Sequence, residues 1–117
     1  MNEQATLLSY LSDPGWRIGR APNDFSVRSR TDGEIRIEDG RLLLFDYLAN
    51  DPEQAIVSCP VREVSVSPVR RWFGGGVALE LGEEGKWYVK PPALRPKTGR
   101  RDTRRLIEAI AEAQRVA

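Results

Sequence analysis

Between Thr31 and Lys90 apolar and polar residues alternate in short runs, each broken by Gly, Pro, Asn or Asp, and this period of two predicts strands. Including the run just before this stretch, there are seven: Phe25–Ser29, Glu34–Glu38, Arg41–Tyr47, Gln54–Cys59, Arg62–Ser67, Val77–Leu81 and Lys86–Lys90. Asp32-Gly33 and Asp39-Gly40 have the chemistry of tight hairpin turns, and Gly82-Glu83-Glu84-Gly85 turns the chain between the last two strands. Arg41–Tyr47 is apolar on both sides at its centre, as in a strand covered on both faces. Ile56 is the expected inward residue of Gln54–Cys59, and Pro60 after it marks an edge or a bulge.

Two stretches follow a helical period instead. Leu7, Leu8, Tyr10 and Leu11 predict a short N-terminal helix that Asp13-Pro14-Gly15 terminates, with Trp16 following as a core anchor. From Asp102 to Ala117 the residues Thr103, Leu106, Ile107, Ile110, Ala113 and Gln114 form one stripe, with Arg104, Glu108, Glu112 and Arg115 opposite and Asp102 as the N-cap. Short connections make sequential strands pair. The expected fold is therefore mainly β: a seven-stranded antiparallel meander forming a partly open barrel, capped by a C-terminal amphipathic helix, with a short N-terminal helix. It is one domain over 1–117, divided into 1–15, 25–90 and 102–117.

A chain of 117 residues buries one core without disulfides or a metal. No apolar run is long enough to span a bilayer, and Met1-Asn2-Glu3-Gln4 has no basic residue before a hydrophobic stretch, so a cytoplasmic location is expected. Histidine is absent and Cys59 is the single cysteine, which removes Ser-His-Asp and Cys-His mechanisms and a structural zinc site. Carboxylates with a divalent ion are formally open, but no spacing among them points to a site. The expectation is a non-catalytic protein without metal or cofactor.

Net charge is only +1, so distribution matters more than sum. Six of the 18 basic residues, Arg95, Lys97, Arg100, Arg101, Arg104 and Arg105, fall between Pro91 and Arg105 against one acid, Asp102. Four of the arginines fall at or just before the start of the predicted helix, where each faces the positive end of the macrodipole at a cost of about 0.3–1 kcal/mol. That placement calls for an anionic neighbour, either acids of the same domain such as Glu83 and Glu84 or an external partner. Arg70-Arg71-Trp72-Phe73 has the composition of a stacking platform, or of aromatics folded back over the barrel mouth, and Gly74 to Gly76 gives its loop open backbone angles.

Gly33-Glu-Ile-Arg-Ile-Glu-Asp-Gly-Arg-Leu-Leu-Leu-Phe45, then Cys59-Pro-Val-Arg-Glu-Val-Ser-Val-Ser67, then Val77 to Val89 and the C-terminal helix, resemble the pleckstrin-homology superfold with its GRAM-like and bacterial relatives. The resemblance implies a non-enzymatic scaffold that binds phosphoinositides, peptides or other domains. Its leading version here is a protein partner, bound through Arg70, Arg71, Trp72, Phe73 and the Arg95–Arg105 segment. The alternative is electrostatic binding of nucleic acid or anionic lipid headgroups through the same arginines. A sheet edge near Pro60 offers a further route to strand addition or a homo-oligomer.

Overall fold

The computed structural model describes residues 16–21, 32–46, 51, 53–70, 72, 74–91 and 96–117. Seven antiparallel strands form one sheet: β1 Trp16–Gly19, β2 Asp32–Glu38, β3 Arg41–Asp46, β4 Val57–Pro60, β5 Val64–Pro68, β6 Val77–Leu81 and β7 Lys86–Lys90. One helix follows, α1 Pro96–Val116. The first strand is thus Trp16–Gly19, where an isolated Trp-x-Ile alternation is too short to announce itself in sequence. The predicted strand Phe25–Ser29 and the predicted helix within 1–15 lie outside the described residues.

Strand order is β4-β3-β2-β1-β7-β6-β5, so each strand pairs with its sequence neighbour except at β4–β5, while β1 and β7 pair with each other. The sheet is not closed. A 3-10 turn, Val61–Glu63, carries the chain across the interval between the two edge strands, and α1 packs against that turn. The Asp39-Gly40 hairpin is as predicted: both residues have positive φ, 52° and 74°, the geometry of a two-residue turn matched to strand twist.

One face of the sheet and one face of the helix share the core. Trp16, Ile18, Ile35, Ile37, Leu42, Leu44, Leu79, Leu81 and Val89 meet Leu106, Ala109, Ile110 and Ala113, all buried. Trp16 is 0% exposed, the anchor expected of it, although its indole Nε1 finds no acceptor among the described residues. Ile56 corrects the sequence reading. It is 38% exposed, because β4 begins at Val57, three residues after the predicted Gln54, and turns Val57 and Cys59 inward. Phe45 is buried on the opposite face of β3, with the Arg36 guanidinium 4.5 Å from its ring centroid, so β3 is covered on both sides at that point.

Gln114, on the apolar stripe of the helix, has a task there that its polarity explains. Its Nε2 donates to Val61 O at 3.0 Å and Val64 O at 2.7 Å, supplying donors to carbonyls where the sheet is interrupted.

Candidate basic interaction face

The helix begins at Pro96, six residues before the predicted cap at Asp102. Proline suits the first helical position, since its fixed φ is helical and its missing N–H would have had no intrahelical partner. This start changes the electrostatics. Arg100, Arg101, Arg104 and Arg105 lie in the second and third turns, beyond the reach of the N-terminal dipole, and only Lys97 stands in the first turn. Asp102 is an interior helical residue with 15% side-chain exposure, 3.7 Å from Arg101 Nε.

Gly99 and the glycine loop explain each other. The ideal Cβ position on Gly99 coincides with the carbonyl of Gly74, and one on Gly75 reaches Thr103 Oγ1 and lies 2.7 Å from Gly99 O. The loop backbone is therefore laid directly on the helix backbone. Gly75 takes φ 83° to do so, open to glycine and strained for other residues. Thr103, buried at this crossing, donates its hydroxyl to Gly99 O at 2.8 Å and exposes no unmatched polar atom.

That crossing brings the Arg70–Gly76 loop and the basic half of α1 to one end of the molecule. Arg70, Lys97, Arg100, Arg101 and Arg104 are exposed, and Arg105 is half-buried. Arg71, Phe73 and Arg95 lie outside the described residues. Trp72 is half-buried and lies against the outer face of β7, where Tyr88 and Lys90 stand, rather than over the barrel mouth. Its ring lies over Gly76, edge-on to Tyr88 at 6.2 Å between centroids, with Lys90 Nζ 4.9 Å from its centroid.

Two further cations were missed in the sequence because their strand register was not known. Arg17 on β1 stands directly opposite Lys90 on β7, a like-charge cross-strand pair on the outer face. Burial lowers the Lys90 amine below the ordinary lysine value, and Arg17 pushes the same way. Asp32 occupies the register position on the other side of Arg17.

No protein-family model, curated protein or solved structure matches the chain. The face has to be read from its own residues.

The acids that were candidate partners for these arginines are elsewhere. Glu83 and Glu84 form a 3-10 turn at the far end of the β6–β7 hairpin, beside Glu63 and away from the glycine loop. Among the described residues neither makes an ion pair with the basic helix. Between Glu63 and Glu84 lies a depression of about 350 Å³ that Arg41, Ser58, Cys59 and Leu81 also line. Cys59 is buried at its floor, its thiol donating weakly to Pro60 O at 3.4 Å. Burial raises that thiol above its ordinary value, the Glu63 and Glu84 carboxylates add to the rise, and Arg41 opposes it. A neutral, enclosed thiol is a poor nucleophile. Among the described residues no group of three or more acidic or thiol side chains is arranged to hold a metal ion, and no helix is long and apolar enough to cross a membrane.

Proposed function

We propose that this chain is a non-catalytic, pleckstrin-homology-like interaction module that binds an acidic protein surface through the basic end of α1 and the loop seated on it. Element order supports the fold reading: seven antiparallel strands in sequential pairing, a partly open barrel whose one unpaired seam is the β4–β5 interval, and a C-terminal helix packed across that interval.

The observation that carries the functional reading is the seating of Gly74 and Gly75 on Gly99, which makes one surface of two basic segments far apart in sequence. Trp72, held down on β7, favours a protein over single-stranded nucleic acid, which would need an accessible aromatic platform.

The test is fluorescence anisotropy with three labelled or titrated probes: a glutamate-rich peptide, a single-stranded oligonucleotide of equal charge, and phosphatidylserine vesicles. The peptide should bind at low salt, and Lys97→Ala with Arg101→Ala and Arg104→Ala should weaken it roughly tenfold, from about 0.2–1 kcal/mol for each exposed pair. Tighter binding of the oligonucleotide or the vesicles would transfer the reading to that class. Unchanged peptide affinity in the triple variant would remove this face from consideration.

A further inference from the structure

The basic helix face has an oppositely charged counterpart on the same molecule, and the helix itself measures the distance between them. Gly99 lies against the glycine loop, and Gln114 lies against Val61 and Val64 beside Glu63. Fifteen residues of α-helix separate those points by about 22 Å at 1.5 Å per residue. One end presents Lys97, Arg101 and Arg104 on an exposed stripe at helical spacing. The other presents Glu63, Glu83 and Glu84, all exposed and making no ion pair among the described residues.

We propose that the acidic partner of the helix face is a second copy of this chain, which offers its Glu63–Glu84 end to the basic stripe in a head-to-tail contact. The inference rests on the basic-face reading above and names its partner. Two depressions, of about 350 and 360 Å³, flank Glu63 on the acidic end; Glu83 and Glu84 also line the first, and Glu80 and Lys86 the second.

Within the first recess, Arg41 donates to Ser58 Oγ at 2.8 Å and Ser58 O at 3.2 Å, which holds its charge against β4. A contact between two different surfaces of identical subunits repeats until it closes into a ring or extends as a chain.

Sedimentation velocity on the full chain decides it. At low ionic strength, where the Debye length is about 30 Å at 0.01 M, the weight-average mass should rise with concentration above the 13.2 kDa monomer without stopping at a dimer. It should return to monomer as salt shortens that length to about 8 Å near 0.15 M.

A variant carrying Glu83→Gln and Glu84→Gln, and another carrying Arg101→Gln and Arg104→Gln, should each stay monomeric. Mixed together they retain one intact end apiece and should form a 1:1 pair that grows no further. A wild-type chain that stays monomeric at low salt overturns the proposal, as does either variant self-associating or a mixture that fails to pair. Binding of the glutamate-rich peptide separates the two failures: peptide binding without self-association leaves the basic-face reading standing and removes only the second copy.

Discussion

Glycine in a helix interior is ordinarily a defect, and replacing it with alanine stabilises a helix by about 1 kcal/mol. At Gly99 the opposite sign is expected. The new methyl would coincide with the Gly74 carbonyl, and that oxygen belongs to backbone, which cannot rotate away as a side-chain tip can. Either the loop lifts from the helix or α1 shifts from the core formed with Leu106 and Ile110. Overpacking of this kind costs about 1–3 kcal/mol, which outweighs the propensity gain at all but the low end of its range.

Urea denaturation of Gly99→Ala should show a lower midpoint at unchanged slope, and the melting temperature should fall by about 4 °C for each kcal/mol in a chain of this size. Gly74→Ala is the control. A methyl there meets nothing within 4 Å, so stability should stay within about 0.5 kcal/mol of wild type. Peptide affinity should fall in Gly99→Ala and persist in Gly74→Ala. A Gly99→Ala chain more stable than wild type would refute the reasoning, because it would mean that the loop is not seated on the helix.

Gln114→Leu keeps an apolar helix face but withdraws the donor from Val61 O and Val64 O, with an expected loss of about 1–3 kcal/mol in urea denaturation; an unchanged midpoint would mean that the seam satisfies itself. Arg17→Gln removes a cation opposite Lys90 and should move the Lys90 amine back up towards the ordinary lysine value, read by NMR titration of its side chain. The folded chain holds that proton less tightly than the unfolded chain. Stability from this group is therefore present above the ordinary lysine value and lost as pH falls through the folded one, and Arg17→Gln should flatten that dependence. The Cys59 thiol should react with a disulfide reagent only as fast as the protein opens. Its raised value gives a stability contribution that is present below the ordinary cysteine value and declines as pH climbs past it.

Much of the architecture was legible because the sheet is built from hairpins. Alternation at Val77, Leu79 and Leu81 and the Asp39-Gly40 turn are local signals, and both appear in the fold with the expected bounds. What failed was at ends and crossings. Ile56 was assigned inward because periodicity cannot say where a strand begins, and a one-residue error reverses every face. The start of α1 was placed at Asp102 because the apolar stripe begins at Thr103, whereas the helix begins six residues earlier and takes in Pro96 and Gly99. One is a first-position residue, and the other is glycine because a second backbone lies on it. The basic segments were visible as composition. Their joining was not, since it depends on that close approach, and Arg17 opposite Lys90 depends on a pairing between the first and last strands.

The chemistry of the two sheet edges bears on strand addition. Val61 N donates to Gly40 O at 2.8 Å, so by alternation Val57 and Cys59 turn their backbone groups to β3, while Ser58 and Pro60 turn theirs to the open side. Pro60 has no N–H to offer, and the Ser58 carbonyl is occupied by Arg41. On β5, Val69 N donates to Gly76 O at 3.1 Å, which by the same alternation points Val64, Val66 and Pro68 outward. Pro68 again lacks a donor, and the Val64 carbonyl is held by Gln114. Among the described residues each edge keeps one outward N–H not already engaged, at Ser58 and at Val66, too few to zip a new strand into register. Strand addition near Pro60, one route to a homo-oligomer that the sequence suggested, is thereby disfavoured by the residues that announced the edge. A partner bound through the proposed basic face should accordingly have an affinity that follows salt and charge substitution at Lys97, Arg101 and Arg104 rather than the length of an added strand.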